Sequence, residues 1–409
     1  MPDRSRSLAR LQRRAGRLAE TLGDWRGRWY ATPVLGVGLL VGLVVLPLSL
    51  DVPVFGTRLG ALVSPNILVV ALLWATAAQS WNIVSGFSGQ FSFGHAAFFG
   101  LGAYVPLVLS REFAVNPWLG MLAGSLLAAV YALCIGGLSF RYDVGGSYFA
   151  LVTLAFAELL LYLFINVDQL GGASGFVKPF PDAYGAEYGL LAFQFRETVP
   201  YYYVALGLLL VVSLVALAIK RSRIGLYLFA IRDDEAAASA VGVPTIRYKL
   251  FALVVSAFFT AWAGTLWSMY FVSIRPRVVF GLLVNLDILL PAVVGGLGTI
   301  FGPIVGSLLL TVASEVARES VGIPELQDVV YGVVLLLVVL RTPGGVVTWP
   351  SRVAEALAIP QRESESEEPR GPPPAATEGP PTQGVDERRA ESDGGRGDPA
   401  AGDPSEHDG

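Results

Sequence analysis

Charge and cysteine are both scarce in this sequence. Of its 409 residues, 15% are charged, whereas an ordinary soluble domain carries about 25%. The single cysteine, Cys134, lies in an apolar run, which excludes a disulfide or a cysteine-bound metal site within the chain. No G-x-x-x-x-G-K-[ST] phosphate loop occurs, and the two histidines form neither a zinc-ligand set nor a Ser-His-Asp set. The sequence contains no cluster of basic and aromatic residues of the kind that indicates nucleic-acid binding.

Long uncharged runs are abundant instead. Hydrophobic residues make up 53% of the chain, and no Asp, Glu, Lys or Arg occurs between Arg58 and Arg111. That interval is long enough for two membrane helices of about 20 residues each. The sequence predicts an all-α, polytopic transmembrane helix bundle of about ten spans, some of them broken by glycine. The expected spans are 34–50, 66–84, 92–109, 118–139, 148–166, 200–219, 250–272, 282–295, 303–317 and 327–340.

The two ends of the chain differ in charge from the middle. Residues 1–30 contain eight arginines and predict a basic cytoplasmic arm, either an amphipathic helix on the membrane surface or a loose segment, and not a secretory signal. Residues 31–345 are the expected transmembrane domain. Residues 346–409 are rich in Pro, Gly, Ser and Glu and predict an acidic, disordered C-terminal tail.

Lysine and arginine in the connections predict the orientation. The 220–249 connection is the most basic and, like the N-terminal arm, is expected in the cytoplasm. An even number of spans returns the C-terminus to the same side. The 167–199 connection has only two basic residues, Lys178 and Arg196, and is expected outside. Arg275 and Arg277 are also expected outside, contrary to the rule that basic residues favour cytoplasmic connections.

The 220–249 connection also predicts a short helix. Arg232, Asp233, Asp234 and Glu235 precede a run of small residues that includes Ala237 and Ala238, and acidic residues favour a helix N-terminus. Gly242 and then Pro244 end that helix. Small side chains let another protein approach closely, so a docking surface is favoured over a solvated loop.

A second segment, Trp81 to Tyr104, combines polar residues with five glycines. Its polar members include Asn82, Gln90, Ser92 and His95. Because unsatisfied backbone groups are costly in lipid, such a broken helix faces protein or a water-filled cavity. The segment predicts either the lining of a translocation pathway or tight helix packing, and for His95 a hydrogen-bonded core residue is the alternative to a proton switch.

Two more segments place acids at membrane depth. Thr153 and Glu158 lie in the fifth span, and an acid there is expected to face the bundle interior or water. Asp287 precedes a glycine-rich break that contains Gly295 and Gly296. All five residues are candidates for the translocation pathway. The similar order of polar residue, glycine-rich break and apolar span at 82–104 suggests two related halves, although chance explains it equally well.

These four segments resemble, in order and spacing, the branched-chain amino acid permeases of ABC importers. The resemblance covers about residues 66–345 and favours the LivM-like members over their shorter partner. Gly89, Gln90, Ser92, Gly94 and His95 match the family's G-Q-x-S-x-G-H signature. In the 220–249 connection, Arg232, Asp234, Glu235 and Gly242 match the coupling loop, although Glu235 lies one residue early for the general motif.

The resemblance implies a transport subunit in the cell membrane and not an enzyme. It implies no cofactor in this chain, because ATP is bound by two partner ATPase subunits that dock on residues 220–249. A second homologous permease, giving a heterodimer, and an external solute-binding protein are the other implied partners. The implied substrates are branched-chain amino acids (leucine, isoleucine and valine) or related small polar solutes. A urea or short-amide importer looks similar in sequence, and an ion-coupled secondary transporter using Glu158, Asp287 and His95 is the alternative of another class.

Overall fold

A computed structural model of the chain describes residues 31–49, 53–54, 57–58, 64–178, 180–181, 187–321, 329, 332–333, 336 and 345–348. Helices dominate these residues. They are α1 (Ala31–Val45), α2 (Pro65–Trp81), α3 (His95–Phe113), α4 (Pro117–Arg141), α5 (Gly146–Asn166), α6 (Thr198–Arg221), α7 (Arg223–Asp233), α8 (Glu235–Ala240), α9 (Thr245–Tyr270), α10 (Pro276–Val279), α11 (Leu282–Gly295) and α12 (Gly302–Val321). A π-helical turn, Asn82–Gly86, continues α2, and 3-10 turns occupy Leu46–Ser49, Asp168–Leu170, Gly172–Ser174 and Val346–Thr348.

Four short strands form two antiparallel pairs. β1 (Pro53–Val54) pairs with β2 (Thr57–Arg58), with Pro53 opposite Arg58. β3 (Phe176–Val177) pairs with β4 (Ser273–Ile274), with Phe176 opposite Ile274. The β3–β4 pair joins the connection after α5 to the connection after α9. We call this side of the bundle the strand end, and the opposite side, where residues 220–249 lie, the loop end.

Helix α2 is the centre of the bundle. Within the apolar 18-residue stretch of this helix and the turn after it, 94% of the residues are buried. The helix packs against α6, α9, α11 and α12. Helices α3, α4 and α9 pack against one another beside it. Glycines set the closeness of α3 and α9: a Cβ on Gly102 would lie 2.0 Å from the carbonyl oxygen of Ala261, and one on Gly264 would lie 1.9 Å from that of Phe99. Small residues at a helix crossing are typical of membrane bundles.

The chain is an all-α, multi-pass membrane protein, as its sequence predicts. Among the described residues, six helical stretches are long and apolar enough to cross a membrane: Pro65–Gly86, Pro117–Arg141, Gly146–Asn166, Thr198–Arg221, Thr245–Tyr270 and Pro276–Gly295. Helices also occupy the expected positions of the first, third and ninth spans. The arm 1–30, most of the tenth span and most of the tail 346–409 lie outside the described residues, so ten spans and the three-part division stay predictions.

Several helix boundaries differ by a few residues from those expected, and two of the differences have an identifiable cause. The third span was expected from residue 92, but α3 begins at His95, because the indole of Trp81 donates to the carbonyl of Ser92 at 2.8 Å and holds that residue outside the helix. The seventh span was expected from residue 250, but α9 begins at Thr245, directly after Pro244. Proline has no N–H and readily precedes or starts a helix, so five residues of the 220–249 connection belong to α9.

Candidate functional site

The connection at the loop end is built from two capped helices. The hydroxyl of Ser222 accepts from the backbone N–H of Gly225 at 3.4 Å at the start of α7. The carboxylate of Asp234 accepts from the N–H of Ala237 at 2.9 Å and caps α8. Capping groups of this kind satisfy helix N–H groups that have no partner inside the helix. Gly242 follows α8 with a φ of +89°, which favours glycine and reverses the chain towards α9.

The outer surface of this connection is made of small residues flanked by apolar ones. Val241 is 81% exposed and Leu226 is 68% exposed. Four small residues of the same connection are also exposed: Ala236, Ala237, Ala240 and Gly242. Ala238 is the exception, because it is only 4% exposed and faces the bundle. The sequence places Ala238 in the docking surface, but in the structure its methyl group packs α8 against the protein instead.

Glu235 also faces inward. Its carboxylate pairs with the ammonium group of Lys249, whose side chain is 4% exposed. Lys249 lies over the ring of Phe140 at 4.7 Å as well. The pair therefore fastens α8 to α9 and to the end of α4. It positions the loop helix, and the acid expected to meet a partner protein is used within the chain.

Two basic side chains connect this loop to the glycine-rich breaks. The guanidinium of Arg232, near the end of α7, donates from Nη1 to the carbonyl of Gly86 at 2.6 Å. The ammonium group of Lys220, near the end of α6, donates to the carbonyl of Gly298 at 2.7 Å. Gly86 ends the π-helical turn after α2, and Gly298 lies between α11 and α12. The loop is thus attached to both breaks by hydrogen bonds to the main chain.

Asn82 joins the two breaks to each other. Its amide donates from Nδ2 to the carbonyl of Thr299 at 2.8 Å, and its Oδ1 accepts from the N–H of Gly298 at 2.8 Å. The side chain is fully buried. A Cβ on Gly86 would lie 1.9 Å from Asn82 Oδ1 and 2.7 Å from the nitrogen of Gly298, so only glycine fits at this position. We call Asn82, Gly86, Lys220, Arg232 and Gly298 the junction.

The second break is equally crowded. A Cβ on Gly295 would lie 1.8 Å from the carbonyl oxygen of Gly302, which begins α12. Gly296 ends α11 with a φ of +128°, a value that side chains rarely allow. Gly295 and Gly296 thus let α11 and α12 meet in a sharp turn. The structure places both candidates beside the junction.

His95 lies in a directional chain of hydrogen bonds inside the bundle. The hydroxyl of Ser256 donates to the carbonyl of Ser80 at 2.7 Å, so its oxygen is left to accept from His95 Nε2, 2.7 Å away. The Nδ1 atom of His95 is then the acceptor, and the hydroxyl of Ser92 donates to it at 3.1 Å. A neutral imidazole satisfies every bond in this chain. His95 is therefore a fully bonded core residue that ties α3 to α9 and α2.

Thr153 and Gln90 hold the segment between the π-helical turn and α3. The N–H of Phe93 donates to the hydroxyl of Thr153 at 3.1 Å, which links that segment to α5. The backbone carbonyl of Gln90 accepts from the hydroxyl of Ser85 at 2.9 Å. The side-chain oxygen of Gln90 is buried without a hydrogen-bond partner among the described residues. An unsatisfied buried acceptor of this kind is expected where a protein meets water, solute or a partner.

The two acids lie apart from these residues. Glu158 is half-buried at the edge of α5, between buried Ala157 and Leu159, which is 58% exposed. Asp287, in α11, lines a cavity at the strand end. Neither carboxylate is a hydrogen-bond partner of His95, whose two ring nitrogens bond Ser92 and Ser256.

This strand-end cavity, of about 760 Å³, was not predicted as a site from the sequence. Its wall is held by two convergent acceptors. The Oδ1 atom of Asn66 accepts from the hydroxyls of Thr198 at 3.0 Å and Tyr270 at 2.8 Å. The carbonyl of Met269 accepts from Lys178 Nζ at 2.8 Å and from the hydroxyl of Tyr201 at 3.0 Å. The signal in the sequence was Lys178, one of only two basic residues in the 167–199 connection.

Comparison with known proteins is consistent with this geometry. A family model described as "Branched-chain amino acid transport system / permease component" matches residues 64–339. The high-affinity branched-chain amino acid transport system permease protein LivM of Escherichia coli is 27% identical over 298 residues, 68% of this chain and 69% of that protein. LivH of Salmonella typhimurium is 24% identical over 296 residues, covering 70% and 94%. BraD of Pseudomonas aeruginosa is 27% identical over 302 residues, also covering 70% and 94%.

Proposed function

The chain belongs to the family of branched-chain amino acid transport system permease components, and from that premise we propose that it is the membrane subunit of an ABC importer that moves leucine, isoleucine and valine into the cell. The junction is the single observation that supports this most strongly. A cytoplasmic loop with an exposed surface of small residues is bonded, through Arg232 and Lys220, to both glycine-rich breaks. Force applied to the loop therefore reaches the main chain of the helices inside the bundle.

We place the loop end in the cytoplasm and the strand end outside. The six basic residues of the 220–249 connection support this orientation. The arginine-rich arm supports it as well, because the six expected spans between the arm and this connection place both on the same side. Two ATPase subunits then dock on the surface around Val241. Closure of the ATPases moves α7 and α8, and Arg232 and Lys220 transmit that movement to Gly86 and Gly298. ATP is bound by those partners.

The second permease is a homologous subunit, so that the membrane part is a heterodimer. The similarity of this chain to both LivM and LivH, two permease proteins of branched-chain amino acid transport, supports this arrangement. Glu158 supports it as well, because a half-exposed carboxylate within a membrane span is costly against lipid and favours a protein neighbour. An external solute-binding protein delivers the substrate at the strand end. The permease itself lies in the inner or plasma membrane of the cell.

Partner capture tests the docking surface. The chain is solubilised mildly from its native membrane, and the co-purifying proteins are identified for the unchanged chain and for Val241→Glu. The matched control is Leu191→Glu, because both side chains are 81% exposed but Leu191 lies at the strand end, where its carbonyl accepts from Asn116. We expect an ATPase and a second permease with the unchanged chain and with Leu191→Glu.

Loss of the ATPase in Val241→Glu alone supports docking at the loop end. An unchanged chain that yields no ATPase under any mild condition, and whose uptake survives ATP depletion but not collapse of the proton gradient, would establish an ion-coupled transporter instead. Capture of the ATPase with uptake of urea or a short amide, and none of leucine, would keep the importer and overturn the substrate.

A further inference from the structure

The strand-end cavity has one wall suited to an aliphatic group. Ile67, Val70 and Trp74 of α2 line it on one side, and Trp267 and Phe271 follow from the end of α9. The rings of Trp267 and Phe271 lie 4.2 Å apart, and Trp74 lies 5.5 Å from Trp267. Buried aromatic and branched side chains of this kind bind apolar ligand groups by excluding water.

The same cavity contains basic groups that enter from the connection before α6. Lys178 is 9% exposed, and one of the three N–H donors of its ammonium group is used by the carbonyl of Met269. With three donors, the ammonium group is able to bond a ligand as well as this carbonyl. Burial lowers the pKa of Lys178, because the charged form is poorly solvated there. A carboxylate beside it would offset that cost. Arg196 lines the same cavity and adds a second cation.

Acidic groups come from different elements. Asp287 belongs to α11 and Glu315 to α12, while Glu197 precedes α6. Thr311 and Ser314 of α12 add hydroxyls beside Glu315. A carboxylate offers several acceptor positions, so each acid is able to accept from a ligand ammonium group as well as from other groups. The cavity thus presents cations, anions and an apolar wall to the same space.

We propose that the strand-end cavity binds a small aliphatic α-amino acid as its zwitterion, inside a single permease chain. The ligand carboxylate bonds Lys178 and Arg196, its ammonium group bonds Asp287 and Glu315, and its side chain packs against Trp74 and Trp267. This deepens the proposed function and rests on it. It makes the permease itself selective for molecules that have both charges, in addition to any selection by the partner that delivers them.

Protection of an introduced thiol tests the proposal. In the purified complex in lipid nanodiscs, the native Cys134 is replaced by serine, and a cysteine is introduced at the mouth of the cavity by Thr198→Cys. The rate of modification by a membrane-impermeant maleimide is measured with increasing L-leucine and no delivering protein. We expect about tenfold slowing at about ten times the dissociation constant, because roughly a tenth of the sites are then free. Ser174→Cys, exposed at the same end outside the cavity lining, is the matched control.

Ligand analogues identify the contacts. Leucinamide, without the carboxylate, and 4-methylpentanoate, without the ammonium group, are each expected to protect far less than leucine. Asp287→Asn should abolish protection by leucine. Equal protection by all three ligands, protection that survives Asp287→Asn, or equal slowing at Ser174→Cys would overturn the proposal. Absence of any protection in a complex that still imports leucine would reject this cavity alone, whereas a complex that does not import leucine would reject the proposed function.

Discussion

The hydrogen bond from Arg232 to Gly86 makes a quantitative prediction about coupling. Truncation by Arg232→Ala removes the hydrogen bond between α7 and the break after α2. The ring contact between Phe87 and Phe229, the helices α7 and α8, and the exposed surface around Val241 remain. A hydrogen bond to a charged group contributes about 1.5–3 kcal/mol. Because Arg232 is partly exposed, solvent reduces that figure to about 1 kcal/mol.

A loss of about 1 kcal/mol corresponds to about a fivefold change in an equilibrium. In proteoliposomes that contain the complete complex, we therefore expect the number of leucine molecules imported per ATP hydrolysed to fall by about that factor. ATPase capture and the basal hydrolysis rate should stay unchanged, because the docking surface is intact. Arg247→Ala is the matched control, since Arg247 is an exposed arginine of the same loop and its removal changes the charge equally.

Two results would refute this reasoning. One is an unchanged ratio of leucine to ATP in Arg232→Ala. The other is an equal fall in Arg247→Ala, which would assign the effect to loop charge and not to the bond. Arg232→Lys separates charge from geometry further, because lysine keeps the charge but has a compact ammonium group in place of the planar guanidinium. We expect partial recovery of the ratio in that variant.

Two further predictions concern the packing of the bundle. Gly264→Ala places a methyl group against the backbone of α3 and should lower the melting temperature of the detergent-solubilised chain by the equivalent of about 1–3 kcal/mol. Gly207→Ala in α6 is the control, because open space surrounds that position, and it should leave the melting temperature unchanged. Equal melting temperatures for the two variants would contradict the close α3–α9 contact. Asn82→Ala leaves the N–H of Gly298 and the carbonyl of Thr299 without their partner. The stability of the folded chain, measured by the same thermal melt, should fall by about 1–3 kcal/mol for each of these groups. A stability equal to that of the unchanged chain would show that water replaces the amide.

Helix positions were the most predictable part of the structure. Apolar runs bounded by glycine, proline and charge predicted α11 at 282–295, which is where it lies. Errors arose where a single side chain fixes a boundary, as the indole of Trp81 does for Ser92. Such a bond joins residues whose proximity depends on tertiary packing, which periodicity does not describe.

The polar candidates were located by type but not by role. Asn82, Gln90, Ser92, His95 and Thr153 were all candidates for the translocation pathway, with helix packing as the alternative for the 81–104 segment, and pathway lining stays a prediction for them. The structure shows Asn82 and Thr153 bonding main-chain groups of other segments. Their partners are up to 217 residues away along the chain, so spacing alone gave no indication of them. The strand-end cavity was missed for the same reason, because its lining comes from six separate stretches of the chain.

The junction has an unusual consequence for how this protein tolerates mutation. Both groups that receive the bonds of Arg232 and Lys220 are backbone carbonyls of glycine. A carbonyl is present whichever residue occupies the position, so no side-chain change can delete the acceptor, while a larger residue at Gly86 would collide with Asn82. A substitution that deletes one of these two bonds without adding a steric clash is therefore confined to the two donor positions, Arg232 and Lys220. Comparison of natural variants at those two positions would measure how much coupling such importers have gained or lost over evolutionary time.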